Sequence, residues 1–177
     1  MVHDIVLYGD SVLRQKSKPV DEVNDAIRSL ASDMIETMYA SQGIGLAAEQ
    51  IGRLESICVI DVRASDEHED DEAAEPMPSM PMVLVNPKIT SSDGEQVGTE
   101  GCLSFPEIYA TVKRAMNVAI SYRNLDNEEI HAEATGLLAR VMQHEIDHLN
   151  GVLFTDRMSP AQKVTIAGKI KRLKKRT

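Results

Sequence analysis

Apolar residues recur at helical spacing in three separate stretches of the chain. Between residues 25 and 39, Ile27, Leu30 and Met34 lie three or four positions apart. Because residues at this spacing share one face of a helix, the pattern predicts an amphipathic helix that is closed by Gly43.

A second helical pattern follows Thr135-Gly136, which can cap it, and runs to about Asn150. A third helix is predicted to begin at Ser159-Pro160, since serine suits the N-cap and proline the first helical position. No internal repeat and no domain linker interrupts these patterns, so the chain is expected to form one unit.

Short apolar runs between turn residues predict strands at 57–62 and 82–85, the second ended by Asn86-Pro87. Alternating apolar residues at 118–122 and 129–134 flank a short turn and predict a β-hairpin. This mixture of strands and helices favours the α+β class.

Composition is consistent with one domain spanning residues 1–177. Hydrophobic residues make up 42% of the chain, and Trp is absent, so aliphatic residues and nine methionines must build the core. Cys58 and Cys102 lie in unlike surroundings, which predicts a reducing compartment rather than a disulfide, and Cys58 is expected to be an inert core thiol. No targeting or membrane-spanning segment is evident, so we expect a cytoplasmic protein, most simply bacterial.

The net charge of −9 is distributed unevenly. Residues 64–81 are acidic and contain three prolines, which predicts an exposed, mobile insertion with His68 in solvent. Residues 159–177 form a basic C-terminal helix. The overall charge argues against sequence-specific nucleic-acid binding, but this helix could bind an anionic surface.

The chemistry of the chain centres on residues 143–148, which contain the pattern H-E-x-x-H. On a helix, His144 and His148 lie on the same face and can both bind one metal ion. Glu145 would point close to the same site, where a general base is needed. The alternative is a solvated helix with two exposed histidines, because short motifs also match by chance.

A catalytic metal site of this kind needs a third protein ligand. No His or Glu follows His148, and Asp156 is the only acid there, which disfavours the usual metalloprotease arrangement. The best upstream candidate is Cys102, which lies between Gly101 and Pro106 in a constrained segment. A buried structural cysteine is the alternative.

Three stretches together resemble the signature motifs of the peptide deformylase family. They are Gly43-Ile44-Gly45-Leu46-Ala47-Ala48-Glu49-Gln50, Glu100-Gly101-Cys102-Leu103-Ser104 and Gln143-His144-Glu145-Ile146-Asp147-His148. They occur in the family's order and at compatible spacing, and the resemblance extends from Val6 through Phe154. The acidic stretch departs from the compact pattern of the family but affects only a loop.

The resemblance implies antiparallel sheets packed around the helix that carries H-E-x-x-H. It also implies a metal-dependent hydrolase that removes the N-formyl group from the first methionine of new polypeptides and releases formate. Cys102, His144 and His148 would hold the metal. Glu145 would act as general acid/base for the metal-bound water that attacks the formyl carbon.

Further roles follow from the same resemblance. The side-chain amide of Gln50 and the backbone N–H of Leu103 would stabilise negative charge on the formyl oxygen. Ile44, Gly45 and Glu100 would line or support the substrate groove.

Leu137 and Val141 would form the pocket for the methionine side chain, since they share a helical stripe with His144 and His148. Apolar helix residues one turn apart are more often plain core, which is the alternative for this pair. Arg114 is expected to pair with Glu100 and hold the Cys102 segment.

For the cofactor, the resemblance implies one divalent ion, ferrous iron in the cell, with nickel or zinc able to occupy the site. The implied partners are N-formylmethionyl nascent peptides and, through the basic helix, the ribosome. The alternatives are another metal-dependent amide hydrolase, such as a small peptidase, and a non-catalytic binding module stabilised by metal.

Overall fold

The computed structural model describes residues 1–64 and 78–174, which contain seven strands and three α-helices. The helices are α1 (Asp25–Ala40), α2 (Gly136–Leu149) and α3 (Pro160–Leu173). The strands are β1 (Gly45–Ala47), β2 (Ile57–Ile60), β3 (Met82–Asp93), β4 (Gln96–Glu100), β5 (Ala110–Arg114), β6 (Asn117–Arg123) and β7 (Glu129–Thr135).

Antiparallel pairing organises the strands into two sheets. Five strands form one sheet in the order β1-β2-β3-β6-β7, and β4 pairs with β5 in a separate two-stranded sheet. Along β2, Ile57 and Val59 pack with α1, whereas Cys58 and Ile60 pack with α2, because neighbouring side chains point to opposite faces of a strand. The α+β prediction, with α2 at the centre of a single domain, is confirmed.

Helix α2 is embedded in the fold rather than solvated. Eleven of its fourteen residues are buried. The Gln143 side chain accepts a hydrogen bond from Ala115 N–H at 3.0 Å and donates one to the Ala115 carbonyl, also at 3.0 Å. Arg140 of the same helix donates to the Val112 carbonyl of β5 at 3.0 Å. Hydrogen bonds and apolar packing thus fix α2 against both sheets.

The structure corrects one predicted boundary and adds three strands. Strand β3 continues past Asn86-Pro87 to Asp93, with a register shift between Val85 and Lys88 that accommodates the proline, which has no N–H for the ladder. Strands β1, β4 and β5 were not predicted. The predicted acidic insertion lies mostly outside the described residues, and so does His68.

Helix α3 begins as predicted, because Ser159 caps it by accepting a hydrogen bond from Gln162 N–H. Ile166 and Leu173 point inward and join a cluster that includes Phe154. Across the described ranges 1–64 and 78–174, no helix is both long and apolar enough to cross a bilayer.

Candidate metal centre

Three potential metal ligands converge where α2 meets the turn after β4. The ligand atoms of Cys102, His144 and His148 all lie within 4.8 Å of one another. The imidazole rings have their centroids 5.0 Å apart, and His148 Nε2 is 3.3 Å from Cys102 Sγ. The helix and the turn therefore bring together the three residues that were proposed as ligands from the sequence.

The turn that carries Cys102 is shaped by close packing. Phe105 N–H donates to the Cys102 carbonyl at 2.8 Å and so tightens the chain directly after the thiol. A Cβ atom on Gly101 would lie 2.8 Å from the ring of Tyr109, which shows that the ring covers the backbone there. A larger residue than glycine would require this exposed ring to move.

Glu100, at the end of β4, organises the polar groups behind the ligands. Its carboxylate bonds His144 Nδ1 at 2.9 Å and accepts two hydrogen bonds from Arg114 at 2.9 and 3.0 Å. Arg140 donates a further one at 2.8 Å. Burial opposes the charge of Glu100, but the bonds with His144 and Arg114 outweigh it and hold its pKa far below the usual range.

These surroundings fit a bound divalent ion. Glu100 occupies His144 Nδ1, which leaves Nε2 for a metal, in the carboxylate–histidine arrangement found behind many metal ligands. Burial lowers the pKa of His148 well below its usual value, so its imidazole is neutral and able to bind. The separation of 3.3 Å between Cys102 Sγ and His148 Nε2 is close to the ~3.5 Å that metal–ligand distances in a tetrahedral site give.

His144 differs from His148 in its proton affinity. Burial disfavours its charged form, but hydrogen bonds with Cys102 and Glu100 raise its pKa well above the usual value. A metal must therefore displace a proton from this group, and metal binding should be accompanied by proton release.

Glu145 lies beside the ligands and is 4% exposed. Its Oε2 has no hydrogen-bond partner among the residues that the structure describes. Burial raises its pKa to about 7. The charge of His144 lowers this pKa and the charge of Glu100 raises it, each by less than burial does. A carboxyl group with such a pKa can both accept and donate a proton near neutral pH.

Gln50 and Leu103 lie on the other side of the ligands. The Gln50 Oε1 atom accepts from Ala47 N–H at 2.9 Å, which orients Nε2 toward Cys102 Sγ at 3.4 Å and Ser104 Oγ at 3.3 Å. The backbone N–H of Leu103 has no hydrogen-bond acceptor within the described part of the chain. The Gln50 amide therefore points toward the thiol, and the Leu103 N–H next to the thiol is free to bind another acceptor.

An open cleft of about 450 Å³ lies in front of these groups. Ten of the eleven site residues proposed from the sequence line it, and His148 lies behind them, 1% exposed. The ten are Ile44, Gly45, Gln50, Glu100, Cys102, Leu103, Leu137, Val141, His144 and Glu145. Leu137 and Val141 thus line the cleft, while Val141 also belongs to the hydrophobic core against which Leu137 packs.

Sequence reasoning missed several residues that support the centre. Arg140 and Ser104 contact Glu100 and Gln50, as described above. Asp147 accepts a hydrogen bond from Arg114 and is also held by Arg157 at 2.6 and 3.1 Å. Asp147 lies within the H-E-x-x-H motif, so its place on the helix was a usable signal, whereas its partners are distant in sequence.

Glu49 was also missed, and it is fully buried. Neither of its carboxyl oxygens has a hydrogen-bond partner among the described residues. Burial, with a smaller contribution from the charge of Glu145, raises its pKa from 4.5 to about 8. Because the unfolded chain releases this proton near pH 4.5, the folded state binds more protons between pH 4.5 and 8, and stability falls as pH rises through that window.

Replacing this carboxyl by an amide, Glu49→Gln, is expected to remove that loss. The unfolding free energy of the variant should exceed that of the parent by about 2 kcal/mol or more at pH 8, and by much less at pH 5. Urea unfolding at the two pH values measures the difference. Glu133→Gln, at an exposed position on β7, is the control. If both variants changed the unfolding free energy equally at each pH, Glu49 would have to be ionised in the folded state.

Gly45 leaves space for the Glu145 side chain. A Cβ atom at Gly45 would lie 2.3 Å from Glu145 Oε1, so Gly45→Ala must displace the carboxyl group. We expect about a 100-fold loss of hydrolytic activity, since a shift of about 1 Å in a catalytic group has effects of that size. Gly168→Ala in α3, where no atom lies within 4 Å of the added methyl group, should retain activity. A fully active Gly45→Ala enzyme would show that the position of Glu145 is not critical.

A thiol, two imidazoles and a buried carboxyl group at the edge of an open cleft define a metal-dependent hydrolase. The sequence profile of the polypeptide deformylase family matches residues 2–164 of the chain. The chain belongs to this family, whose members remove the N-formyl group from nascent peptides.

Known members of the family are similar over nearly their whole length. The peptide deformylase of Endomicrobium trichonymphae is 42% identical over 168 residues, covering 95% of this chain and 93% of that protein. The peptide deformylase of Salinibacter ruber is 45% identical over 164 residues, covering 92% and 84%. The crystal structure of the peptide deformylase from Thermus thermophilus superimposes with a TM-score of 0.87 at 37% identity, covering both chains completely.

Proposed function

We propose that this chain hydrolyses the formamide bond of N-formylmethionyl nascent peptides, with Glu145 as the general acid/base. The observation that carries the proposal is the placement of the Glu145 carboxyl beside three convergent ligand atoms at the wall of an open cleft. Water is consumed, the formyl C–N bond breaks, and formate and a free amine are released.

Cys102, His144 and His148 would hold one divalent ion, which supplies a Lewis acid that acidifies water and polarises the formyl oxygen. We propose ferrous iron as the ion in the cell, with nickel or zinc able to occupy the same site. A thiolate and two neutral imidazoles are suitable ligands for all three ions.

Glu145 carries the proton transfers. As a carboxylate it accepts a proton from the attacking water, and as a carboxylic acid it then donates that proton to the leaving nitrogen. Burial serves both steps, because it raises the pKa to about 7 and keeps bulk water away from the carboxyl group. The close approach of Gly45 holds the carboxyl in place.

Gln50 and Leu103 would stabilise the charge that develops on the formyl oxygen. The two contacts of Gln50 Nε2 are long, so the substrate oxygen can replace one of them at little cost. The Leu103 N–H offers a second donor to the same oxygen. Its orientation is fixed by the turn that also carries Cys102.

The substrate groove follows from the lining of the cleft. Leu137 and Val141 offer an apolar surface two turns and one turn before His144 on α2, which suits the methionine side chain. Gly45 on β1 and Ile44 directly before it line the same cleft. Glu100 supports the side of the cleft that carries the proposed metal ligands. The scissile bond would then lie between Glu145 and Gln50.

An anaerobic assay of formate release from a formyl-Met peptide, with metal content measured on the same sample, tests the proposal. We expect turnover with iron, nickel or zinc at about one ion per chain. Absence of formate with all three ions would overturn the proposed reaction and favour a binding module.

We further propose the bacterial cytoplasm as the place of action, where similar proteins from bacteria would meet their nascent substrates. The basic helix α3 would dock on the ribosome. Lys163, Lys171 and Arg172 are exposed on this helix, while Ile166 and Leu173 anchor it to the core. A cationic face held by an apolar one suits a surface rich in RNA phosphate.

Reversing two of these charges, Lys163→Glu with Lys171→Glu, is expected to weaken co-sedimentation with ribosomes about tenfold at low salt and to reduce its salt dependence. Charge reversal is preferable to deleting residues 168–177, because deletion would also remove the buried Leu173. Lys16→Glu with Lys88→Glu changes the net charge equally at exposed positions elsewhere. Equal binding by the two double variants would contradict docking through α3.

A further inference from the structure

Arg140 places a guanidinium group in the wall of the proposed methionine pocket. It lies on α2 one turn before His144 and next to Val141, and it lines the same cleft. The side chain is almost completely buried, with 6% of the residue exposed. A buried cation beside a pocket for an apolar side chain requires an explanation.

Only part of this guanidinium group is used within the protein. Nη1 donates to Glu100 Oε1 at 2.8 Å and to the Val112 carbonyl at 3.0 Å. A longer contact joins Nη1 to the Gly98 carbonyl at 3.4 Å, whereas Nε and Nη2 have no hydrogen-bond acceptor among the residues described here. Both nitrogens are also partly accessible. The fully buried side-chain atoms without a hydrogen-bond partner include oxygens of Glu49 and Glu145 but neither of these nitrogens.

The position of the group indicates where these donors are accessible. On one side, the guanidinium plane lies against Gly98, where a Cβ atom would be 3.0 Å from Nη2 and 3.3 Å from Nε. Arg140 also lines the cleft, so its small exposed surface is available for donors at the cleft wall.

Arg140 is one of three arginines that share two carboxylates. Glu100 is already bound by two nitrogens of Arg114, and the remaining acid, Asp147, is shared between Arg114 and Arg157. This group of five carries one net positive charge, and the buried Arg140 is paired only through Nη1, with Glu100. An acceptor in the pocket would be bound by a charged donor, which gives stronger hydrogen bonds than a neutral donor.

We propose that Arg140 places hydrogen-bond donors in the pocket for the first side chain, where they bind an oxygen atom of the substrate. This chain would then also deformylate peptides beginning with N-formylmethionine sulfoxide. This inference rests on the proposed deformylation. Methionine sulfoxide keeps the length of methionine and adds one oxygen to the sulfur. The apolar parts of the pocket contact the methylene groups, and Arg140 binds the sulfoxide oxygen. The reaction is unchanged: water cleaves the formyl C–N bond, and the sulfoxide is neither reduced nor oxidised.

The test uses the metal-loaded enzyme and three peptides that differ only in their first residue: formyl-methionine, formyl-methionine sulfoxide and formyl-norleucine. Norleucine has the same length but no acceptor. We expect kcat/KM for the sulfoxide peptide to equal or exceed that for the norleucine peptide. Arg140→Leu should lower the sulfoxide value about tenfold relative to norleucine, mainly through KM, as loss of one charged hydrogen bond predicts.

Two variants make the result specific. Arg140→Lys keeps a cation near Glu100 but removes Nε and Nη2, and it should show the same selective loss. Arg157→Leu disturbs the same charge network through Asp147 outside the cleft, and it should leave the sulfoxide-to-norleucine ratio unchanged.

The outcomes separate this inference from the proposed function. Hydrolysis of the methionine and norleucine peptides, with the sulfoxide peptide at less than about a hundredth of the norleucine rate, overturns the role of Arg140 alone. Equal loss on all three peptides in Arg140→Leu also overturns it, since Arg140 would then only hold Glu100. Failure to hydrolyse any of the peptides overturns both proposals.

Discussion

Glu145→Gln is expected to lower kcat/KM for formate release about 1,000-fold while metal content stays at the parent level. The amide keeps the size of the buried side chain but cannot accept a proton from water or return one to the leaving nitrogen. General acid–base groups contribute effects of this order. Metal content should persist because Glu145 is not among the three convergent ligands.

Formate release and metal per chain should be measured on the same preparation, with Glu133→Gln as the control at an exposed carboxyl group. The control is expected to match the parent in both measurements. Full activity of Glu145→Gln would exclude this residue as the proton carrier. Low activity with loss of metal would instead assign it to ion binding.

Removal of the thiol, Cys102→Ala, is expected to abolish both metal retention and activity. Only two imidazoles would then bind the metal. We expect the affinity for the metal to fall more than about 100-fold, because losing a ligand should cost more than losing a residue that only hydrogen-bonds to a ligand. Dialysis against a chelator of known affinity, followed by metal analysis under anaerobic conditions, measures the change.

Cys58→Ala provides the matched control for the other cysteine. Cys58 is completely buried in β2, and burial raises the pKa of its thiol well above the usual value, so it is inert toward metal. This variant should retain metal and activity and show only a modest loss of stability. Metal loss in both variants would indicate an indirect effect of core packing, and unchanged metal in Cys102→Ala would exclude the thiol as a ligand.

Local patterns predicted the helices because each has a clear periodicity and end signal. The spacing of Ile27, Leu30 and Met34 predicted α1, and Ser159-Pro160 predicted the start of α3. The three motifs likewise predicted which residues approach the metal centre, since His144 and His148 need only helical geometry to share a face. Cys102 required the resemblance as well, because nothing local relates it to α2.

The parts that sequence did not predict depend on distant contacts. Strand β4 is largely exposed, with Val97 facing solvent, so it lacks the apolar run that indicates a strand. In β5, Ala110 and Val112 alternate with polar residues, and this period of two was a signal that could have been used. Proline at position 87 suggested a strand end, but a register shift within β3 overrides that local preference.

Buried polar residues were the least predictable feature. Glu49 and Arg140 are charged residue types that are usually exposed, and their sequence neighbours do not distinguish them from surface residues. Arg140 is buried because Glu100 and Val112, which are distant in the chain, supply its acceptors. Such partners become visible only once the sheets are assembled.

The three ligands are held with unequal rigidity, and this inequality bears on the kinetics of metal exchange. His144 and His148 belong to a buried helix fixed to both sheets, whereas Cys102 is half-buried on a turn covered by the exposed ring of Tyr109. We therefore expect the thiol to be the proposed ligand that departs first when the structure opens locally. We expect the residence time of a bound ion to depend on the lifetime of the closed turn more than on the global stability of the fold.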